Sequence, residues 1–200
     1  MIRRAYDWMV TQWHWPYAAA FAAVMMVFFI PLLFSIDPSE AVIASIIFVQ
    51  LPLYMVHQWE EHRGDRFRLW VNTNVGKGVE VLTRPATFVI NSVGVWGVDL
   101  LAFYLAVYVD AGWGLIALYL PAVNAVGHII PAVVSRKYNP GLWSSVFGFV
   151  PLSWGGIIYL SRALEPTFLM QAGSLGVAIA VHVAILSHIQ SRLHAAVAKA

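Results

Sequence analysis

The sequence contains no cysteine, which excludes a disulfide framework and any thiolate chemistry. It is also poor in charge. Asp, Glu, Lys and Arg supply 11% of its 200 residues, where a soluble domain carries about 25%. That deficit excludes an ordinary water-soluble domain. The net charge of +2 is too small to point to nucleic acid, and no such partner is expected. No internal repeat or low-complexity tract divides the chain, so a single domain over 1–200 is expected.

What fills the space is apolar: 60% hydrophobic residues, with nine Trp, eight Tyr and eleven Phe. An integral membrane protein follows. Six runs, approximately 17–36, 41–61, 86–109, 112–134, 142–161 and 171–192, reach the roughly 20 residues that a crossing helix needs. Within lipid they must be helical, because an isolated strand leaves its backbone groups unpaired. The expected fold is therefore an all-α bundle of six transmembrane helices. The first run is long enough to span and is followed by no small-residue cleavage site, so it reads as a span and not as a removable signal.

Basic residues give the direction. The N-terminal segment, the second and fourth connectors and the C-terminus hold eleven Lys and Arg, including Arg63, Arg66, Arg68, Lys77, Arg84, Arg136, Lys137 and Lys199, against Arg162 alone in the others. Both termini are expected to be cytoplasmic. DWMVTQWHWPY, near the N-terminus, reads as an interfacial aromatic belt with His14 in it. The connector 62–85 is the one long loop, a natural mobile cover. Its NVGKG segment lacks the spacing and the strand–helix setting of a phosphate-binding loop.

Ionisable groups inside spans cost roughly 2.5–3.5 kcal/mol each at mid-bilayer, and few are present. His57, Glu60 and Glu61 end the second span, Asn91 lies near the start of the third, and Asn124 and His128 lie in the fourth. His182 and His188 lie in the sixth. Counting residues from the span ends puts His57, Glu60, Glu61, Asn91, His128 and His188 at similar depth on four helices. His182 lies roughly 9 Å deeper than His188. Asp99 is deeper still, suits a structural hydrogen bond, and is left out of the cluster. His62 and His194 read as exposed.

Helical spacing gives these residues a shared direction. His57 pairs with Glu60 at i, i+3 and with Glu61 at i, i+4, and Asn124 pairs with His128 at i, i+4, so each set shares a helix face. Bundles build metal sites this way. Imidazole with carboxylate suits zinc, with iron or manganese as alternatives. The expected ligands are His57, Glu61, His128 and His188, with His182 left open against His188. Glu60 is expected as general base or second carboxylate ligand, and Asn91 and Asn124 as orienting or oxyanion-stabilising groups. The preferred function is a hydrolase acting on a lipid-like or apolar substrate near the cytoplasmic leaflet, with an iron-dependent oxygenase or hydroxylase as alternative. A metal-ion or proton transporter is the reading from another class, and the concentration of polar groups at one depth weighs against it. Interhelical hydrogen bonding is the plainer use of Asn124 and His128. Pro52 and Pro131 are expected to kink their helices.

His57-Gln-Trp-Glu60-Glu61, Asn124-Ala-Val-Gly-His128, Tyr138-Asn139-Pro140-Gly141 and a His in the last span together resemble the HXXEE-domain family of bacterial integral membrane proteins. The resemblance covers most of the chain. It implies a bacterial inner-membrane protein suspected of being an enzyme, and supplies no substrate. By itself the Tyr138–Gly141 segment reads as a structural turn, because proline cannot continue a helix and glycine permits a tight bend.

Overall fold

The computed structural model describes residues 1–38 and 40–198. Lys199, counted above with the basic C-terminus, lies outside them. Among the described residues the fold is all helix. Six helices are long and apolar enough to cross a membrane: Trp15–Ser35, Ala41–Asn74, Arg84–Tyr108, Ala111–Ser135, Leu142–Ala163 and Phe168–Val197. They match the expected spans closely, except that the second continues past the expected end.

The reason is a break and a restart. The helix Gln50–His62 stops where Gly64 and Asp65 take left-handed backbone angles, φ 64° and 63°, and a new helix, Arg66–Asn74, follows. The connector is thus largely built structure and not the free loop expected. Asn72 pins its second half, accepting from the amides of Val81 and Leu82 and donating to the Leu82 carbonyl. Val71, Val81 and Leu82 then close a small core with Ile189 of the sixth span. Asp65 accepts from Arg68 and Arg84, and Arg84 also holds the Thr11 carbonyl. The N-terminal segment, this connector, the turn after the fourth span and the end of the sixth span therefore gather at one end of the bundle.

Proline leaves the expected mark at Pro52 but not at Pro131, where the helix Leu115–Ser135 continues unbroken. The second span breaks at Val49, three residues before Pro52, where the missing amide would have bonded the preceding turn. The fifth span runs through a wide π-helical stretch, Ser145–Trp154, that contains Pro151. Polar side chains join helices elsewhere as packing glue. Ser153 donates to Gln50 at 2.7 Å, and Tyr119 donates to Gln171 at 2.8 Å. Phe21, Phe28, Val134, Phe147 and Phe168 stand outward and exposed, as lipid-facing residues do.

Candidate metal centre

The two i, i+4 patterns meet. His57 and Glu61 project from the second span and His128 from the fourth, and all three are buried, with relative exposures of 0%, 4% and 6%. Glu61 Oε1 lies 3.5 Å from His57 Nε2 and 3.0 Å from His128 Nε2. One donor atom from each residue falls within 4.8 Å of the others. Two ligand atoms on one tetrahedral zinc, each about 2.0–2.2 Å from it, stand about 3.3–3.5 Å apart.

The surroundings fix a proton on Nδ1 of each ring. Asn139 Nδ2 donates to the His128 carbonyl at 2.9 Å, so its Oδ1 is the atom 2.8 Å from His128 Nδ1. An amide oxygen only accepts. His128 Nδ1 must therefore bear hydrogen, and a neutral ring turns its Nε2 lone pair toward Glu61. His57 is set in a parallel way. Ser144 Oγ donates to Glu60 Oε2 at 2.5 Å, so it accepts from His57 Nδ1 at 2.8 Å. That turns the His57 Nε2 lone pair inward, where this buried atom has no hydrogen-bond partner. Two imidazole lone pairs and a carboxylate oxygen face one another. One proton satisfies a single nitrogen, whereas one divalent cation satisfies both. On this donor chemistry the residues fit a metal.

Glu60 stands apart from the three. Its carboxylate accepts from the backbone amides of Trp143 and Ser144 at 3.1 and 2.7 Å, from Ser144 Oγ, and from the Tyr138 hydroxyl at 2.9 Å. The two amides open the fifth span, a place where unpaired N–H groups and the helix dipole favour an anion. Partial burial, and then the hydrogen bond to Glu60, raise the Tyr138 phenol above its ordinary value, so it stays a donor at neutral pH. Glu60 thus holds Ser144, and Ser144 holds His57. With four donors on it, this carboxylate is better suited to orienting groups than to taking a proton from water.

The turn at 138–141 is part of the site and not a simple connector. Asn139 is buried beside His128, and Gly141 has φ 99°. A Cβ on Gly141 would stand 2.7 Å from His128 Cε1, 2.8 Å from His57 Cε1 and 2.9 Å from Glu61 Cγ. Only a residue without a side chain fits against all three.

Several expected residues lie elsewhere. Asn91 accepts from Gln58 at 2.9 Å and donates to the Thr87 carbonyl, while Gln58 also accepts from Trp96. It therefore ties the third span to the second and has no free polar atom for the centre. Asn124 is one residue removed, beside Tyr54, whose ring packs edge-on against His57 at 5.5 Å, and its buried Oδ1 has no hydrogen-bond partner among the described residues. His188 is exposed and is not brought to the group, because its neighbour Ile189 takes the inward face. His182 is the half-buried histidine of that helix. Its Nδ1 donates to the Ala178 carbonyl at 2.8 Å, which leaves a buried Nε2 with no partner, close enough to His128 and Glu61 to interact with both electrostatically. Asp99 is buried with neither carboxyl oxygen hydrogen-bonded among the described residues, so the structural bond expected for it is not formed.

His62 was read as exposed and is instead 1% exposed. Its Nε2 lies 3.2 Å from Glu61 Oε2, the oxygen turned away from His57 and His128. The N-terminal aromatic segment, expected as an interfacial belt, folds over it. Trp13 Nε1 donates to the His62 carbonyl at 2.7 Å, and the Trp15 ring packs on the imidazole at 4.9 Å. Phe67 of the connector covers both His62 and His128. The signal for His62 was its place directly after Glu61 together with two buried Trp, but the fold-back that joins them is tertiary.

A cleft of about 420 Å³ opens beside the centre, lined by Trp59, Arg63, Arg66, Tyr138 and Trp143 and ending against Glu60 and Ser144. The model of a family described as "Protein of unknown function with HXXEE motif" matches residues 48–154. No curated protein and no solved structure matches the chain.

Proposed function

The chain belongs to the family of proteins of unknown function with the HXXEE motif, and from that premise we propose that it is a membrane-embedded metal-dependent enzyme, a hydrolase of lipid-like substrates. The observation that carries this reading is the convergence of His57 Nε2, His128 Nε2 and Glu61 Oε1, three buried potential ligand atoms that lie within 4.8 Å of one another. Two imidazoles and one carboxylate are a ligand set of catalytic zinc sites that keep a position open for water. A divalent cation held there would supply Lewis acidity and activate water near neutral pH.

The chain's own groups divide the remaining work. Asn139 and Ser144 hold the two rings with Nε2 inward, and Glu60 holds Ser144. Such outer partners set ligand orientation and basicity. His62 occupies the second oxygen of Glu61, which favours ligation through the first. His182, with its unpartnered Nε2, is the candidate fourth donor from the sixth span. Trp13, Trp15 and Phe67 keep bulk water from that side. The cleft reaches the wall formed by Glu60 and Ser144, so a substrate in it lies next to the centre.

A second reading rests on the same donors. Two histidines and a carboxylate are also the ligand set of non-haem iron oxygenases. Elemental analysis of protein purified without added metal separates the two. Zinc, with release of a carboxylate or phosphate product from an ester-bearing amphiphile, supports the hydrolase. Iron, with oxygen consumption coupled to an apolar substrate, replaces it by the oxygenase.

A further inference from the structure

The cleft beside the centre combines features that the metal site does not use. Arg63 and Arg66 line it, and neither is within ion-pair distance of a carboxylate among the described residues, whereas Arg68 and Arg84 both pair with Asp65. Arg63 lies over the Trp59 ring, its guanidinium carbon 4.4 Å from the centroid. Arg66 is anchored by one Nη on the Glu60 carbonyl, and its buried Nε has no partner. The one carboxylate in the wall, Glu60, is already held by Tyr138, Trp143 and Ser144. The cleft thus presents two guanidiniums that form no ion pair among the described residues, and the one carboxylate in its wall is turned to other donors.

The other wall is apolar and continuous with the outer surface of the fifth span. Tyr138, Trp143 and Phe147 stack in sequence, with centroids 6.4 Å and 5.8 Å apart. Trp143 and Phe147 are largely exposed, and Val56 of the second span stands exposed beside them. An aromatic track that leaves a cationic cleft along a lipid-facing helix matches a ligand with a charged head and an apolar chain. Guanidinium pairs with phosphate or carboxylate through two parallel hydrogen bonds, and Tyr and Trp are at home at headgroup level.

We propose that this cleft binds an anionic amphiphile taken from the bilayer, with Arg63 and Arg66 on its phosphate or carboxylate head and its hydrocarbon chain along Tyr138, Trp143 and Phe147. As a binding site it stands on the cleft alone. As the substrate class it rests on the metalloenzyme reading, because the cleft ends at Glu60 and Ser144, next to His57.

The test is native mass spectrometry of the intact protein in detergent, offered dioleoyl phosphatidic acid and dioleoyl phosphatidylcholine in equal amounts, with metal content measured on the same samples. Wild type should retain one phosphatidic acid in preference to phosphatidylcholine by about tenfold or more, the scale of one charge-assisted pair. Arg63→Gln and Arg66→Gln should each erase most of that preference and leave the metal in place. Arg66 is tied to the Glu60 carbonyl, so Arg63, which only stacks on Trp59, carries the test alone if the Arg66 variant does not fold. Equal retention of the two lipids by wild type, or a preference that survives both substitutions, overturns the proposal. Displacement of phosphatidic acid by millimolar inorganic phosphate also overturns it, leaving a site for a free anion. Anionic preference without metal keeps the binding site and removes the metalloenzyme reading; metal without preference does the reverse.

Discussion

Asn139 holds His128 at both ends: its amide oxygen lies 2.8 Å from Nδ1 of the ring, and its amide nitrogen donates at 2.9 Å to the carbonyl of the same residue. The two bonds require hydrogen on Nδ1, and in the neutral ring that leaves the lone pair on Nε2. Asn139→Ala should therefore lower metal affinity by about 10–100-fold, the usual cost of losing an outer-shell partner. Asn139→Asp keeps an acceptor at that position and should recover part of the loss. Competition with a chelating dye in detergent reads both variants, and unchanged affinity in Asn139→Ala would show that the ring is oriented by something else.

Gly141 should be intolerant of the smallest side chain. Its φ of 99° is strained for any L-residue, and the added methyl would meet His57, His128 and Glu61 at under 3 Å. Overpacking and backbone strain each cost about 1–3 kcal/mol. Gly141→Ala should lower the thermal midpoint in detergent and lose metal. Gly127→Ala, where a Cβ meets nothing within 4 Å, is the control on a neighbouring helix and should do neither.

Metal affinity should depend on pH with a fixed sign. The ligands must present lone pairs, and protons compete for the same two nitrogens. Free imidazole titrates at about 6.5, so affinity should fall steeply as pH drops from neutral to about 5.5 and level off above about 7.5. Calorimetric titration across that range should also record protons released on binding. A flat profile would exclude histidine ligation.

The absence of native cysteine makes topology directly measurable. Single cysteines at Lys77, Lys137 and Ala196 should be labelled together by an impermeant maleimide added from the cytoplasmic side, and cysteines at Asp110 and Glu165 from the opposite side. Labelling of Lys77→Cys and Lys137→Cys from different sides would contradict both the count of basic residues and the gathering of those segments at one end of the bundle.

The six spans were legible because each is a long apolar run, and period alone placed His57 with Glu61 and Asn124 with His128. Counting depth along a helix misplaced the sixth-span histidine, because depth ignores rotation. Ser174, Ala178, Ile185 and Ile189 mark the inward stripe of that helix at three- and four-residue steps, and His182 falls on it while His188 does not. The stripe was present in the sequence, although its inward direction is set by packing against the fourth span. His62, Asn139, Gly141 and Ser144 were read as surface or turn residues, or passed over. Their roles arise when the N-terminal segment and the turn before the fifth span fold back onto the second, contacts 49 to 87 residues apart in the chain that no local pattern records. The connector 62–85 hid a helix behind Gly64 and Asp65, because its pinning by Asn72 and Ile189 is likewise non-local.

His57, Glu61 and His128 should together hold one metal ion. The most direct measurement is metal stoichiometry, by inductively coupled plasma mass spectrometry, of wild type, His128→Ala and Glu61→Gln purified identically in detergent. About one divalent ion per chain is expected in wild type, lost in both variants while each stays monodisperse. Wild type without metal even after incubation with zinc, iron or manganese, or variants that retain it at the wild-type level, would contradict the claim.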